Sequence, residues 1–241
     1  MKKFYQEIYV DNDIIVVNKA HGLLSIPDRF DKEKVNLLDL LKRKYEEVLP
    51  VHRIDKDTSG LIVFALNAEA HLNLSKQFQE REIQKIYTAI VYGYPPQDNG
   101  VFDQSILIHE GKHKVSIHRS GKSAITEYEL IGKFLNFSYL KLKLITGRRH
   151  QIRAHLAYNG LPIVSDPMYG KSPSFFLSEI KGRKYNIKKY ENERPLTNRQ
   201  LLHATEICFK HPRTSELMEF EAKLPKDMKA MLYQLEKLNT I

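Results

Sequence analysis

One short polar stretch, HRIDKDTSG, holds residue types that could do chemistry. In it, Asp55 lies between Arg53 and Lys56 in a chain that is already basic. A carboxylate in such surroundings could be a solvated turn charge, a structural ion pair or a reactive group. The apolar run LIVFAL follows at once and is typical of a strand buried on both faces. A polar loop that enters a buried strand holds its side chains rigidly, as a reactive group requires.

A second stretch, TGRRHQIRAH, concentrates cations at the start of a predicted helix. Thr146 or Gly147 is expected to open this helix. Arg149 and Arg153 are four residues apart, so the pattern predicts that they project from one helical face with His150 beside them. Cationic groups at a helix N-terminus form an anion site. That site could hold a phosphate or the aspartate of the first stretch, and a solvated charged surface is the alternative for both stretches.

Several other motifs fail on their spacing. The sequences GKS at 121–123 and 170–172 lack the upstream glycine that a phosphate-binding loop needs. His150 and His155 are five apart, whereas a zinc-binding pair on a helix needs four. The single Cys208 excludes an intrachain disulfide and any cysteine-rich metal site. These patterns therefore give no support to a phosphate-binding loop, a helical zinc site or a cysteine-rich cluster.

Charge indicates the class of partner. The 241 residues carry a formal net charge of +9, and 42% are hydrophobic, which is ordinary globular composition. A basic excess of this size favours a polyanionic partner, because Lys and Arg displace counterions from phosphates. A basic protein without such a partner is the alternative. No apolar stretch approaches a membrane span or a signal core, so the sequence predicts a cytoplasmic protein with no membrane association.

Hydrophobic periodicity predicts many strands and few helices. Strands are expected at IIVVN (14–18), LIVFAL, KIYTAIVYG (85–93), SAITEYELI, SYLKLKLIT, ATEICFKHP and LMEFEAKLP. Helices are expected through LLDLLKRKY, opened by Asn36 or Asp31, through 68–80 with Leu72, Leu74 and Phe78 packed inward, through TGRRHQIRAHLAYNG, and after Pro225. Residues 171–200 show no clear period and predict a long loop or an excursion from the sheet. The predicted class is α+β with a mixed, mostly antiparallel sheet.

Five long motifs in order carry a resemblance to a known family. VDNDIIVVNKAHGLLSIP, HRIDKDTSGLIVFA, KIYTAIVYG, TGRRHQIRAHLAYNGLPIVSDPMYG and LLHATEICFKHP resemble the successive motifs of the RluA-type RNA pseudouridine synthases. The resemblance implies the pseudouridine synthase fold, with a central active-site cleft and flanking helices. It implies one catalytic domain over residues 1–241, without the N-terminal RNA-binding extension that the family often carries.

The resemblance also implies roles for individual residues. Asp55 falls on the family's catalytic aspartate and Arg153 on the arginine that pairs with it. Tyr87 falls on the tyrosine that stacks near the target base and is a weak candidate for the final base, because an unperturbed phenol ionises far above neutral pH. Arg53 falls on the residue that fills the gap left by the flipped nucleotide. Whether Asp55 attacks the sugar, attacks the ring or removes a sugar proton stays open.

The predicted partner is structured RNA, either ribosomal or transfer RNA, with no obligate protein partner. Further phosphate contacts are predicted for Lys85, Arg148, Arg149 and His150. A basic cluster in the predicted long loop could also meet phosphates or be solvated; it contains Lys181, Arg183, Lys184, Lys188 and Lys189. The leading hypothesis is an isomerase that converts uridine to pseudouridine. The reaction that the resemblance implies involves no redox step and no energy input, so no metal and no cofactor are expected. An RNA-binding module without activity and a phosphate-binding hydrolase are the alternatives from other classes.

Overall fold

The computed structural model describes residues 4–29, 31–109, 111, 114–181 and 193–239. In chain order, the strands of the described residues are β1 (Tyr5–Val10), β2 (Ile14–Lys19), β3 (Leu49–Pro50), β4 (Ser59–Ala65), β5 (Gln84–Tyr92), β6 (Asn99–Phe102), β7 (Ile106–Ile108), β8 (Val115–Ile117), β9 (Thr126–Phe134), β10 (Phe137–Leu144), β11 (Leu202–Lys210) and β12 (Leu217–Glu221). The helices are α1 (Leu37–Lys42), α2 (Ala68–Glu80), α3 (Gln151–Tyr158), α4 (Leu177–Lys181) and α5 (Lys226–Asn239). The architecture is mixed α/β with a large, mostly antiparallel sheet and few helices, which confirms the predicted class.

The chain divides into two compact units, each assembled from two stretches of sequence. The first unit comprises Met1–Tyr87 and His203–Lys223, and the second comprises Thr88–Leu202 and Leu224–Ile241. Since each unit is closed by a segment from the far end of the chain, neither is a continuous piece of sequence. The single domain over residues 1–241 stays a prediction.

Strands of the first unit follow the order β1-β2-β4-β11. Neighbours in this order are antiparallel except β4 and β11, which run parallel through His203↔Ser59 and Ala204↔Gly60. At Gly60 the backbone has a φ of +117°, and a Cβ there would lie 2.2 Å from the carbonyl oxygen of Ala204. Only glycine therefore permits this close approach at the start of β4.

The core of the first unit lies on both faces of β4. All seven of its residues are buried, as its continuous apolar run predicts. Leu61 and Val63 pack on one face with Leu74 of α2, and Phe64 packs on the other face with Leu41 of α1. This strand is a rigid base for the polar loop that precedes it.

In the second unit, β10 pairs antiparallel with β9, and β9 pairs with β6. A separate two-stranded sheet joins β7 to β8. Helix α3 packs near β8, where Ala154 contributes to a buried cluster with Val115 and Tyr169. Ala154 thus packs α3 against this small sheet.

Two predicted helices agree with the structure in position but differ in detail. Helix α1 begins after Asn36, whose side chain accepts a hydrogen bond from the Asp39 backbone N–H, and it ends at Lys42 rather than continuing through Tyr45. Helix α2 covers the predicted residues 68–80. The inward packing predicted for Leu72 is wrong, since Leu72 is 73% exposed.

Residues 171–200 are not loop throughout, because α4 occupies Leu177–Lys181. Of the basic cluster predicted in this segment, Arg183, Lys184, Lys188 and Lys189 lie outside the described residues. The C-terminal helix after Pro225 is confirmed as α5, and it buries Met228, Met231 and Leu235. Among the residues that the structure describes, no helix has both the length and the apolar character needed to cross a membrane.

Candidate active site

The loop HRIDKDTSG is tied at its middle to the segment that follows β2. The Ser25 hydroxyl donates to the carbonyl of Ile54 at 2.8 Å and accepts from the backbone N–H of Ile54 at 3.2 Å. The backbone N–H of Gly22 donates to the carbonyl of Lys56 at 2.9 Å. These bonds lie directly before and after Asp55, so the backbone that carries its carboxylate is held on both sides. Asp55 itself is half-buried, while Arg53 is exposed.

A buried lysine supplies a third tie to this loop. The Lys19 side chain is fully buried, and its ammonium donates to the carbonyls of Ala20 at 2.9 Å, Leu23 at 2.7 Å and Lys56 at 3.0 Å. A buried ammonium is costly unless its N–H groups are bonded, and these carbonyls supply acceptors. We did not predict this role from the sequence. The signal was a lysine at the end of the buried run IIVVN, immediately before the turn of the opening motif.

Tyr87 lies close enough to Asp55 to sense its charge. Tyr87 is buried in β5 and only 7% exposed. Burial raises the pKa of its phenol, and the negative charge of Asp55 raises that pKa further. Two residues that the family resemblance singles out, 32 positions apart in sequence, are thus brought together in the first unit.

His52, next to Arg53, is packed and hydrogen-bonded within the protein. Its ring stacks on Phe78 with centroids 4.7 Å apart, and its Nε2 accepts from the backbone N–H of Val63 at 3.0 Å. Burial, helped by the nearby Lys85 charge, lowers the pKa of His52 to about 3. His52 is therefore neutral at physiological pH. It ties the loop to β4 and α2.

Lys85 is partly buried, although the sequence predicts that it contacts a phosphate. Its ammonium lies 5.5 Å from the centroid of the Phe78 ring. Burial lowers the pKa of Lys85. The ammonium itself is thus partly withdrawn from water beside an aromatic ring. Its contact with RNA stays a prediction.

In the second unit, Arg153 forms a buried ion pair with Asp166. The Arg153 Nε donates to Asp166 Oδ2 at 2.7 Å, and Nη2 donates to Oδ1 at 2.9 Å. The two side chains are 7% and 0% exposed. This two-pronged geometry is the strongest form of an arginine–carboxylate contact. We did not predict the partner from the sequence, although Asp166 lies in VSDPMYG, within the same long motif.

The start of α3 differs from the prediction. The helix begins at Gln151, after His150 in a left-handed conformation with a φ of 52°, and not at Thr146 or Gly147. The Gln151 side chain accepts from the Thr146 hydroxyl at 2.8 Å and from the Arg148 backbone N–H at 2.9 Å, which shapes these residues into a loop.

Because of this loop, the idea that Arg149 and Arg153 project from one helical face is wrong. Arg149 lies before the helix, whereas Arg153 lies within it and is buried. The side chain of Arg148 donates through Nε to the Ser123 carbonyl at 3.1 Å. His150 contacts the Tyr169 hydroxyl through Nδ1 at 3.0 Å. Contacts of Arg148, Arg149 and His150 with RNA stay predictions.

Two other polar residues of this motif stabilise the second unit. Gln151 donates to the Ile125 carbonyl and to the Thr126 hydroxyl oxygen, both at 2.9 Å. His155 is fully buried, with Nε2 at 2.8 Å from the Gln104 carbonyl and Nδ1 at 3.0 Å from the Thr126 hydroxyl. Burial lowers the pKa of His155, so it is neutral at physiological pH. Much of the motif's polarity thus serves packing rather than substrate contact.

One group of side chains in the first unit has ligand types suited to a metal ion. Asp11, Asp13 and His211 bring one ligand atom each within 4.8 Å of the others. Protein partners already engage these atoms: His211 Nε2 lies 2.9 Å from Asp11 Oδ2, and Arg213 donates to Asp13 through Nε at 2.8 Å and Nη2 at 2.6 Å. The Arg213 contact lowers the pKa of Asp13 to about 2. This group is therefore organised as a hydrogen-bonded network with an arginine–carboxylate ion pair, which joins two turns.

Comparison with known proteins identifies the family. A family model described as RNA pseudouridylate synthase matches residues 13–158. Over 238 residues the chain is 37% identical to Ribosomal large subunit pseudouridine synthase D of Blochmanniella floridana, a match that covers 95% of this chain and 72% of that protein. The chain belongs to the RNA pseudouridylate synthase family. It is also 36% identical over 219 residues to Dual-specificity RNA pseudouridine synthase RluA of Escherichia coli (strain K12), covering 89% and 91% of the two chains.

A solved structure shows the same fold. Human RNA Pseudouridylate Synthase Domain Containing 4 superposes with a TM-score of 0.72 and covers 95% of this chain and 92% of that chain. The sequence identity is 24%, so this likeness concerns the fold. The pseudouridine synthase is accordingly an isomerase that converts uridine to pseudouridine in RNA.

The matched region contains Asp55, Tyr87 and Arg153, which were predicted as catalytic. In the first unit, the negative charge of Asp55 acts on the phenol of Tyr87 and raises its pKa. In the second unit, Arg153 has Asp166 as a partner. The pairing of Arg153 with Asp55 stays a prediction.

Replacing Lys19 by methionine is expected to destabilise the synthase by about 2–3 kcal/mol, because buried carbonyls lose a charged donor. Denaturant unfolding would measure the loss, and hydrogen exchange should report faster opening around Lys56. Lys44→Met is the control, since its exposed ammonium pairs with Glu7 at 2.7 Å on the surface, where ion pairs stabilise little. Equal stability of the two variants would contradict the tie from Lys19.

Proposed function

We propose that the enzyme isomerises specific uridines in structured ribosomal or transfer RNA by flipping the target base, with Asp55 as the group that acts on the nucleotide. The observation that carries this proposal is the placement of Asp55. Its carboxylate is half-buried on a loop held by Lys19 and Ser25, and its charge reaches the buried Tyr87. A reactive group needs such a rigid support, whereas a solvated turn charge does not.

The isomerisation needs a nucleophile or base, but no net change in atoms. The bond from the sugar to a ring nitrogen breaks, a bond from the same sugar carbon to a ring carbon forms, and the proton of that ring carbon is transferred. An ionised Asp55 could attack the sugar, attack the ring or remove a sugar proton, and each of these routes starts from the same carboxylate.

Tyr87 suits base stacking better than base catalysis. The raised pKa of its phenol keeps the hydroxyl protonated at neutral pH, so an unassisted phenolate is not at hand to remove the final proton. Its ring can still stack on an extruded uracil, a contact worth about 1–3 kcal/mol. We therefore propose Tyr87 as the stacking residue and leave the final proton transfer to another group or to water.

Arg53 is proposed to offset part of the cost of base flipping. Extrusion of a nucleotide costs a few kcal/mol, and a planar guanidinium can stack in the gap. Support comes from its position, because Arg53 is exposed two residues before Asp55. An exposed long side chain can enter an RNA helix while the adjacent carboxylate meets the flipped nucleotide.

Arg153 is proposed to orient Asp55 and to balance its charge during the reaction, as the family resemblance implies. Affinity would come from the basic excess of +9, with Lys85, Arg148, Arg149 and His150 among the contacts to phosphate. The name of the Blochmanniella floridana relative refers to the ribosomal large subunit, and the name of the Escherichia coli relative refers to dual specificity. The same proposal places the enzyme in the cytoplasm and requires no obligate protein partner.

Tritium release from RNA that carries 5-tritiated uridine tests the activity of this chain. The label leaves as the ring carbon bonds to the sugar, so the purified protein should release tritium from RNA of the source cell. Pseudouridine mapping with and without the gene would then separate ribosomal from transfer RNA substrates. A protein that binds these RNAs yet releases no tritium would be an RNA-binding module, and the proposal would fail.

Tyr87→Phe is expected to keep RNA affinity within about threefold, because the stacking face is unchanged. Tyr87→Leu should weaken binding of a substrate trapped with its base flipped by about 10-fold, within the range of one lost aromatic stack. Filter binding or fluorescence anisotropy with such an RNA would measure both. Equal affinity of the Phe and Leu variants would exclude Tyr87 as the stacking residue.

A further inference from the structure

One buried ion pair of the second unit, Arg153 with Asp166, includes a carboxylate that has no part in the proposed chemistry. We propose that Asp166 is a positioning residue, which holds the guanidinium of Arg153 in the orientation that isomerisation requires. This inference rests on the proposed function of Arg153. It concerns a side chain that is itself 0% exposed and therefore acts on the reaction only through its neighbour.

Asp166 binds one edge of the Arg153 guanidinium and thereby sets the direction of its other donors. Arginine has five N–H donors in a fixed plane. The contacts to Asp166 at 2.7 and 2.9 Å use one donor on Nε and one on Nη2. Three donors are thus not engaged by Asp166. Since the plane is rigid, fixing one edge also fixes the direction of these three donors.

An aromatic ring also packs on the face of the Arg153 guanidinium. The central carbon of Arg153 lies 5.0 Å from the centroid of the Tyr169 ring. The Tyr169 hydroxyl accepts from the Val115 backbone N–H at 2.8 Å, so the ring is held in place. A carboxylate at the edge and a ring at the face together determine both the tilt and the rotation of the guanidinium.

Asp166 is in turn rigidly placed. Its Oδ1 accepts from the backbone N–H groups of Met168 at 2.9 Å and Tyr169 at 3.0 Å. Burial favours the neutral carboxyl, but the contacts with Arg153 and the two backbone hydrogen bonds together outweigh burial and lower the pKa of Asp166 below its ordinary value. The carboxylate is therefore charged at neutral pH. It is fixed by the turn that also places Tyr169.

The charge of Asp166 explains why its loss should disturb the orientation of Arg153 and not the affinity for RNA. Without Asp166, the buried guanidinium of Arg153 would lose the anion that holds its Nε and Nη2 edge, and its orientation would no longer be fixed. The Asp166 carboxylate partly offsets the positive charge that Arg153 presents to a nucleotide. Its loss should therefore leave attraction to RNA intact or slightly stronger, while the geometry of the reacting groups suffers.

Asp166→Asn tests the inference, since asparagine can still accept the two backbone hydrogen bonds but loses the charge that holds Arg153. In single-turnover tritium release we expect the rate at saturating enzyme to fall by about 10–100-fold, the cost of a small misplacement of a reacting group. The RNA concentration dependence should change by less than about threefold. Asp166→Glu, which keeps the charge, should recover part of the rate.

A matched control lies in the same unit. Arg199 grips Asp227 through Nε at 2.6 Å and Nη2 at 2.8 Å, with the Arg199 side chain 2% exposed. Asp227 is 22% exposed and so less buried than Asp166, but its pair with Arg199 has the same two-pronged geometry. Asp227→Asn should also lower Tm while leaving the tritium-release rate within about threefold of the unmodified enzyme. A rate loss that simply follows loss of stability would appear in both variants.

The decisive measurement is the coupling between Asp166 and its partner. If Asp166 acts through Arg153, then Asp166→Asn in an Arg153→Lys background should cost less than about threefold further. Full additivity of the two losses, or an Asp166→Asn rate equal to that of Asp227→Asn, would overturn the inference. Absence of tritium release by the unmodified enzyme would instead count against the proposed function.

Discussion

Asp55→Asn is expected to stop isomerisation while RNA binding survives. The variant keeps the size and the loop contacts of Asp55, because the ties to Lys19 and Ser25 involve neighbouring backbone groups and not the carboxylate. Removing a group that acts on the reacting atoms typically lowers kcat by 10³-fold or more, so we expect a loss of at least about 10³-fold in single-turnover tritium release. RNA affinity should stay within about threefold.

Asp57→Asn is the matched control. Asp57 is half-buried in the same loop, two residues further on, and no reactive role is proposed for it. The same neutralisation of charge at position 57 should change the rate by less than about threefold. Appreciable pseudouridine formation by Asp55→Asn, or equal losses in the two variants, would remove Asp55 from the catalytic role.

Arg153→Ala is expected to damage both turnover and stability. The substitution leaves the fully buried Asp166 carboxylate without its arginine, and removal of one partner of a buried ion pair typically costs about 3–5 kcal/mol. For a chain of this size, that loss corresponds to a fall in Tm of about 10 °C. Calorimetry would measure it, and tritium release below the unfolding temperature would measure the loss of turnover.

The stability loss should depend on pH in a definite direction. In the unmodified enzyme the folded-state pKa of Asp166 lies below its ordinary value of 3.8, so the pair stabilises the fold above that pH and the benefit disappears on further acidification. In Arg153→Ala, burial is opposed only by the backbone contacts, and the pKa of Asp166 should rise. When the folded-state pKa of a carboxyl lies above its unfolded value, protonation stabilises the folded state relative to the unfolded state. The Tm deficit of the variant should therefore shrink between pH 7 and pH 5.

Arg199→Ala provides the comparison for stability. It too leaves a carboxylate, that of Asp227, without its arginine, so it should lower Tm while sparing the reaction. A normal rate for Arg153→Ala would contradict its catalytic role. A Tm deficit that stays constant from pH 7 to pH 5 would contradict the explanation through the buried Asp166.

Local pattern was sufficient for much of the fold. The uninterrupted apolar run after HRIDKDTSG predicts a strand buried on both faces, and β4 is buried throughout. The positions of α2 and α5 follow from helical periodicity and from their start signals. The inward prediction for Leu72 failed because periodicity gives a broad stripe, and the packing of α2 uses Ala70, Leu74 and Gln77 instead.

The start of α3 shows why capping signals can mislead. Thr146 has a suitable side chain for an N-cap, but its hydroxyl bonds to the Gln151 side chain, and the helix begins only after His150. A side chain five residues away competed successfully for the same hydroxyl, and local sequence does not rank such competitors. Because the helix begins after Arg149, the prediction that Arg149 and Arg153 share one helical face was also wrong.

The sequence by itself determined the family, the mostly antiparallel fold and the motifs that carry Asp55, Tyr87 and Arg153, because these depend on residue order and on local periodicity. Only the tertiary structure decided that Lys19 braces the loop of Asp55, that the charge of Asp55 acts on the phenol of Tyr87 and that Asp166 grips Arg153. These are contacts between side chains or backbone groups that are distant in sequence. They are selected by burial, where each charged or polar group must find a partner, and that selection is made only when the chain has folded.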